Sequence, residues 1–136
     1  MCGIYGFVAA AGDLGAPEEV AATLSAMDLA LTHRGPDDGG SRVTGSCALG
    51  MRRLAINDVA GGLQPLGNED GTVQVVCNGE IYNAPALMRE LEARGHTLRT
   101  RSDVEVIAHV YEEHGTDLAR HLDGICLLYT SPSPRD

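Results

Sequence analysis

The order of hydrophobic and polar positions predicts one strand and one helix in the first third of the chain. Residues 3–10 form an apolar run interrupted by glycine, which is typical of a buried strand. From Pro17 onwards the apolar residues recur at helical spacing, and Gly35 and Pro36 end the predicted helix. The apolar face of this helix consists of Val20, Leu24, Met27 and Leu31.

The middle of the chain predicts two further strands separated by a long loop. Residues 46–56 and 73–77 are largely apolar, which favours strands, whereas residues 57–71 are rich in Gly and Asn. Asn78 and Gly79 follow the second of these strands directly, and an Asn-Gly pair normally forms a tight turn.

Two helices are predicted in the last third of the chain. The first covers residues 86–94, with Asn83 as its N-cap. The second begins after Ser102, which forms a capping-box pattern with Glu105, and it ends at Gly115. The strands are too clustered for a regular alternation of strand and helix, so the predicted fold class is α+β.

Composition narrows the classes of function. A chain of 136 residues is long enough for one domain with its own core. Acidic residues outnumber basic ones by 19 to 10, and this balance argues against a nucleic-acid partner. Because no secretory signal or membrane-spanning stretch is visible, we expect a cytoplasmic protein without a membrane partner. The four cysteines are scattered, so we expect reduced thiols and no zinc site.

Cys2, directly behind the initiator methionine, has two interpretations. It is either a small residue at the start of the first strand or a nucleophile that becomes active once Met1 has been removed. In the second case the thiol and a free α-amine belong to one residue, with unperturbed pKa values near ~8.5 and ~8. The amine can then serve as the base for the thiol, and no catalytic histidine is required.

Four further motifs follow this N-terminus in order. They are HRGPDDGG (residues 33–40), RRLAINDVAGGLQPL (52–66), CNGEIYN (77–83) and RSDVEVIAHVYEEHG (101–115). With MCGIYGF, they closely resemble the glutaminase domain of glutamine-hydrolysing asparagine synthetases, which are class II glutamine amidotransferases of the N-terminal-nucleophile type. The resemblance runs from Cys2 to about Ile125, and the wording of RGPD and NGEIYN favours the asparagine-synthetase branch.

The resemblance implies a mechanism of glutamine hydrolysis. Cys2 would attack the side-chain amide of glutamine, releasing ammonia and leaving a glutamyl thioester for water to cleave. The side-chain amide of Asn78 and the backbone N–H of Gly79 are the implied oxyanion donors. Loss of one such donor typically costs about 3 kcal/mol in the transition state.

The resemblance also implies how glutamine is recognised. Arg53 would bind the α-carboxylate, because a guanidinium can pair with both of its oxygens. Asp103 would bind the α-ammonium, with Glu80 as a second polar contact. Each of the three residues also has an ordinary alternative. Arg53 would then be a surface charge, Asp103 an acid at a helix N-terminus, and Glu80 a solvated loop residue. The main chain that lines the site is implied to be Leu54, Ala55, Ile56 and Asn57.

The remaining polar residues are given non-catalytic interpretations. We expect the HRGPD loop to shape the wall of the site, with Asp37 as a hydrogen-bond acceptor that fixes the loop. His33 is not needed as a base, because the Cys2 amine already serves as one. Tyr82 is expected to pack rather than to react. No metal ligand is expected, because the other histidines show no ligand-like spacing: His96, His109, His114 and His121.

In the family that the chain resembles, the domain is a four-layer αββα sandwich, followed by a synthetase domain that binds ATP, magnesium and aspartate. We therefore expect residues 1–125 to form an incomplete glutaminase domain without a cofactor of its own. Its expected partners are glutamine and the synthetase domain of the same chain. Residues 126–136, CLLYTSPSPRD, can be encoded base for base by a sequencing-library transposase adapter, and we predict that they are translated adapter.

Several alternatives stay open at the level of sequence. The parent enzyme would amidate either aspartate or another acid. The chain itself is a glutaminase, a non-catalytic binding domain of the same fold or an inactive fragment. Homodimerisation and the removal of Met1 are also open.

Overall fold

The computed structural model describes residues 2–10, 12–54 and 63–126. The chain divides into two units, Met1–Pro65 and Leu66–Asp136. Several predictions fall outside the described residues, namely those on Met1, Ala55, Ile56, Asn57 and residues 127–136.

The first unit contains a three-stranded antiparallel sheet and one helix. In chain order its elements are β1 (Gly3–Val8), α1 (Pro17–Ala30), β2 (Asp38–Thr44) and β3 (Cys47–Arg53). β3 lies in the middle of the sheet, between β1 and β2. Gly3 pairs with Arg52, and Asp38 pairs with Arg53. The N-terminus of the chain therefore lies beside the C-terminal end of β3.

The core of this unit is small and is formed by α1 and the sheet. Val20 and Leu24 of α1 are buried together with Ala48 of β3. The predicted α1 is confirmed, although it ends at Ala30 and turns lead on to Gly35. β2 was not predicted, because most of its residues are polar or glycine and exposed, so it carries no apolar alternation.

The second unit contains two short antiparallel sheets and two helices. Its elements are β4 (Leu66–Gly67), β5 (Gln74–Val75), β6 (Gly79–Ile81), α2 (Ala84–Ala93), α3 (Glu105–His114), a 3-10 helix (Gly115–Arg120) and β7 (Gly124–Cys126). β4 pairs with β5, and β6 pairs with β7. Val106 and Val110 of α3 are buried in one core with Leu91 of α2 and Ile81 of β6.

One turn prediction and one loop prediction in this unit are corrected by the structure. Gly79 does not close a tight turn with Asn78 but begins β6, where it pairs with Cys126 of β7. β4 lies within the segment predicted as a loop, residues 57–71. Both errors have one cause: these strands are two or three residues long and depend on a partner strand that local sequence does not specify.

The capping box predicted before α3 is also wrong. The side chain of Ser102 accepts the N–H of Val104 at 3.4 Å, whereas Glu105 accepts the N–H groups of Arg99 and Thr100 at 2.6 and 2.7 Å. The buried Glu105 carboxylate therefore fixes the segment that leads into the helix. The predicted end of α3 is confirmed, since Gly115 adopts a φ of +56°, which favours glycine.

Both units contain helices and antiparallel strands, so the fold class is α+β, as predicted. Among the residues that the structure describes, no helix is long and apolar enough to cross a membrane.

Candidate active site

Cys2 lies one residue before β1, at the end of the sheet where β3 finishes. The pairing of Gly3 with Arg52 places Cys2 beside Arg53 and Leu54. The Cys2 sulfur accepts the backbone N–H of Leu54, with 3.4 Å between sulfur and nitrogen, and lies 3.8 Å from the Leu54 carbonyl oxygen. The main chain that follows β3 therefore positions the thiol.

The HRGPD loop is attached to the same end of β3. Arg34 donates its Nε–H to the carbonyl oxygen of Cys2 at 3.3 Å. The N–H of Asp37 donates to the carbonyl oxygen of Arg53 at 3.2 Å. At Gly35 the packing is so close that an added Cβ would lie 2.3 Å from the main chain of Arg52 and Arg53. The loop thus contacts both Cys2 and Arg53, two of the predicted site residues.

Arg52 has a structural role that separates it from its neighbour Arg53. Its Nε–H donates to the carbonyl oxygen of Gly35 at 2.8 Å, and its guanidinium lies 3.4 Å from Asp28. The Tyr5 hydroxyl donates to the same carboxylate at 2.8 Å. Burial, together with the hydrogen bond to Asp28 and its negative charge, raises the pKa of Tyr5 to about 12. Because consecutive side chains of a strand point to opposite faces, only one of the two arginines can join this network.

In the second unit, Asp103 connects two of the sequence motifs. Its Oδ2 accepts the N–H of Ile81 at 2.7 Å. Asp103 lies just before α3, and Ile81 ends β6, which begins at Gly79. This hydrogen bond therefore places the start of α3 beside the strand that carries Gly79 and Glu80.

The direction of the Gly79 N–H follows from the pairing of β6 with β7. Tyr82 donates its backbone N–H to the carbonyl oxygen of Asp123 at 2.7 Å, so Tyr82 and Asp123 form a hydrogen-bonded pair of the ladder. Hydrogen-bonded and non-hydrogen-bonded pairs alternate in an antiparallel ladder. Ile81 and Gly79 therefore direct their N–H groups away from β7, and the Ile81 N–H reaches Asp103 on that side. The Gly79 N–H points to the edge of β6 where the Asp103 carboxylate lies.

The predicted site residues form two groups, one in each unit. Cys2, Arg53 and Leu54 belong to the first unit. The second unit contains the other group, which consists of Asn78, Gly79, Glu80 and Asp103. Asn78 and Asp103 are half-buried and Glu80 is exposed.

A cavity of about 710 Å³ lies in the first unit, away from the Cys2 thiol. Its lining includes Tyr5 and Arg52 as well as Leu24 and Asp28 of α1, but not Cys2. The cavity therefore belongs to the face of the sheet that α1 covers.

Two of the four histidines lie in a contact that the sequence did not predict. His96 and His109 are 13 residues apart in the chain, yet their Nδ1 atoms are 3.3 Å apart. Burial opposes the charged form of His96, but hydrogen bonds to Glu113 and Glu69 outweigh it and raise the pKa of His96. The sequence does not indicate this contact, because only the packing of α3 against the segment after α2 brings the two rings together.

Comparison with protein families defines the class of protein: residues 1–130 match the family described as the glutamine amidotransferase domain. The chain belongs to this family.

Within this family, the chain is similar to several glutamine-hydrolysing asparagine synthetases. The chain is 50% identical over 125 residues to a glutamine-hydrolysing asparagine synthetase of Sandersonia aurantiaca, covering 92% of this chain and 23% of that protein. It is 48% identical to the corresponding enzyme of Asparagus officinalis and 46% identical to asparagine synthetase 1 of Arabidopsis thaliana, in each case covering 92% of this chain and 20% of the relative. The chain thus spans about a fifth of the length of the curated relatives it matches.

Proposed function

We propose that this domain hydrolyses the side-chain amide of glutamine to glutamate and ammonia, with Cys2 as the nucleophile. The observation that carries the proposal is the position of Cys2: it is the second residue of an amidotransferase domain, and its thiol is fixed against the Leu54 N–H. After removal of Met1, the α-amine of Cys2 accepts the thiol proton while sulfur attacks the amide carbon. The amine returns that proton to the leaving nitrogen, ammonia departs, and water hydrolyses the thioester.

The tetrahedral intermediate needs donors where negative charge develops on the amide oxygen. Asn78 and Gly79 fill this role in the proposal. Support comes from the direction of the Gly79 N–H, which points away from β7 and is not used in that ladder.

Glutamine is bound at its amino-acid end by charged side chains. In the proposal, Arg53 binds the α-carboxylate, Asp103 binds the α-ammonium, and Glu80 adds a polar contact. A carboxylate has about four acceptor sites, so Asp103 can accept the Ile81 N–H and an ammonium together. The resemblance to the family also assigns the main chain of Leu54, Ala55, Ile56 and Asn57 to this site, and we keep that assignment as part of the proposal.

We further propose that the domain is the ammonia-supplying part of a longer enzyme that converts aspartate to asparagine with ATP and Mg²⁺. Support comes from the names of the relatives and from their length, since this chain matches about a fifth of each. Within that enzyme the domain would be a four-layer αββα sandwich, completed by strands beyond Ile125.

We propose that the last eleven residues are not part of the native protein. The matches to the relatives span 125 residues, while the family match runs to residue 130, so the boundary requires a direct test. Sequencing the gene from unprocessed genomic DNA should give a different sequence after Ile125. Recovery of the codons for CLLYTSPSPRD from that DNA would overturn this part of the proposal.

Two assays test the function. The purified chain, with Met1 removed, should release glutamate and ammonia from glutamine in equal amounts. Binding of glutamine without turnover would instead indicate a non-catalytic domain. The full-length protein should form asparagine from aspartate, ATP and glutamine. If it amidates a different acid instead, aspartate is not the acceptor, but the proposal that the domain hydrolyses glutamine still holds.

A further inference from the structure

We propose that the second unit binds one divalent transition-metal ion, of the zinc class, through Glu69, His96, His109 and Glu112. We refer to these four residues as the histidine–glutamate cluster. One oxygen or nitrogen atom of each residue lies within 4.8 Å of the corresponding atoms of the other three. This site is separate from every residue assigned to glutamine hydrolysis.

Five distances between ligand atoms of these residues, from 3.1 to 3.7 Å, are close to the edges of a tetrahedron around a small cation, with Glu69 directing one oxygen to each histidine. His96 Nδ1 lies 3.3 Å from His109 Nδ1 and 3.1 Å from a Glu69 oxygen, and His109 Nδ1 lies 3.4 Å from the other Glu69 oxygen. The Glu112 Oε2 atom is 3.7 and 3.6 Å from the two Nδ1 atoms. A tetrahedral zinc site with bonds of about 2.0–2.1 Å has ligand–ligand edges of about 3.3–3.4 Å.

The contact between Glu113 and the outer nitrogen of His96 fits ligation of a metal ion by the other ring nitrogen. Glu113 lies 3.0 Å from His96 Nε2. In the neutral ring with its proton on Nε2, the lone pair of Nδ1 faces the cluster, and this arrangement of carboxylate, histidine and metal is common in protein sites.

The backbone fixes each ligand before any ion binds. Glu69 lies in the turn after β4, where its carboxylate also accepts the N–H of Thr97 at 2.7 Å. His96 follows Gly95, whose φ of +99° turns the chain sharply after α2. His109 is fully buried on α3, and Glu112 lies one turn further along the same helix. Three separate segments therefore meet at one point.

The chemistry of the ligands limits the kind of ion. Two imidazoles and two carboxylates suit Zn²⁺ or a similar transition-metal ion better than Mg²⁺ or Ca²⁺, which prefer oxygen ligands alone. Two carboxylates and two neutral imidazoles also neutralise the charge of a divalent ion. A set of four protein ligands is typical of a structural site, because catalytic zinc keeps an open position. The ion would join α3 to the turn after β4 and to the segment after α2.

Cobalt(II) chloride, added to the chelator-stripped full chain, is the direct probe. We expect one equivalent of Co²⁺ to bind. Its spectrum should show the visible d–d bands of a four-coordinate site with nitrogen and oxygen ligands, and no thiolate charge-transfer band. One equivalent of Zn²⁺ should then displace the Co²⁺. Because Zn²⁺ binds the folded state, a hundredfold excess over its Kd should also raise the melting temperature by about 10 °C.

Variants at the accessible ligands identify the site. Glu112→Gln and His96→Gln should each weaken binding by more than about 100-fold, since even outer partners of metal ligands contribute 10- to 100-fold. The matched controls Glu92→Gln and His121→Gln, both at exposed residues, should bind the ion like the unsubstituted chain. Absence of d–d bands in the folded chain, or bands that Glu112→Gln and His96→Gln leave unchanged, would overturn the proposal.

Discussion

The sulfur of Cys2 accepts the backbone N–H of Leu54, with 3.4 Å between the two atoms. This contact follows from strand register, because Gly3 pairs with Arg52 and the next positions outward are Cys2 and the end of β3. The thiol is therefore placed by main-chain geometry and makes little contribution to the core. A change of this side chain should alter chemistry far more than folding.

We accordingly expect Cys2→Ala to lower glutamine hydrolysis by at least about 10³-fold, since the covalent route is lost. Its free energy of unfolding should stay within about 1 kcal/mol of the unsubstituted chain. Glutamate release and thermal denaturation measure the two quantities. The matched control is Cys47→Ala, a half-buried cysteine of β3, which should keep its activity. Hydrolysis that survives in Cys2→Ala would exclude Cys2 as the nucleophile.

Two substitutions of Asp103 should separate its effect on glutamine binding from its effect on stability. Asp103→Asn keeps an acceptor for the Ile81 N–H, so the free energy of unfolding should change little. The loss of its charge should raise the KM for glutamine about 10- to 100-fold, because hydrogen bonds to charged groups contribute about 1.5–3 kcal/mol. Asp103→Ala should in addition cost about 1–3 kcal/mol of stability, since the Ile81 N–H loses its partner.

Steady-state kinetics and denaturant unfolding measure these two effects. Asp117→Asn, which changes an exposed aspartate of the 3-10 helix, is the control and should alter neither quantity. An unchanged KM in Asp103→Asn would show that this carboxylate is structural only.

Gly35 should tolerate no side chain. A Cβ there would lie 2.3 Å from the main chain of Arg52 and Arg53, so Gly35→Ala must displace either the HRGPD loop or β3. We expect a loss of about 3 kcal/mol or more in the free energy of unfolding, together with reduced glutamine hydrolysis.

Denaturant unfolding provides the test for Gly35→Ala. In the control Gly95→Ala, the added Cβ meets nothing within 4 Å, and only the φ of +99° opposes it, so its cost should be about 1–2 kcal/mol. Equal costs for the two variants would contradict the close packing at Gly35.

Tyr5 should ionise at unusually high pH. Its pKa is raised from 10.0 to about 12, first by burial and then by the hydrogen bond and the charge of Asp28. Because the folded state favours the neutral phenol, this contribution to stability is complete below pH 10 and is lost as the pH rises towards 12. Ultraviolet titration of the tyrosines, compared with Tyr5→Phe, isolates this group.

Asp28→Asn should lower the pKa of Tyr5 without returning it fully to 10.0, since burial remains. Asp38→Asn, at an exposed aspartate of β2, is the matched control and should leave the titration unchanged. A Tyr5 that titrates near 10 in the folded, unsubstituted chain would contradict the Tyr5–Asp28 hydrogen bond.

The elements predicted correctly are those with a local signal. α1, α2 and α3 have apolar faces at helical spacing, and Gly115 ends α3 as its position suggests. β1 and β3 carry enough apolar residues to be recognised as strands. Ordered motifs likewise identified the family, because several short matches in the correct order are far more specific than any one alone.

The errors occurred where structure depends on distant partners. β2 is polar and exposed, and only its pairing with β3 makes it a strand. Asn78-Gly79 has the sequence of a turn, yet pairing with β7 draws Gly79 into a strand. Glu105 fits a capping box with Ser102, but the N–H groups of Arg99 and Thr100 compete successfully for its carboxylate. His96 and His109 meet only after the second unit has folded.

The most direct test of Cys2 as the nucleophile is the intact mass of the purified chain before and after treatment with 6-diazo-5-oxo-norleucine, an electrophilic analogue of glutamine. We expect Met1 to be absent, one adduct to form, and peptide mapping to place that adduct on Cys2. Excess glutamine should slow the labelling. A folded chain that lacks Met1 and forms no adduct, or that carries the adduct on Cys47, Cys77 or Cys126 instead, would contradict the assignment of Cys2 as the nucleophile.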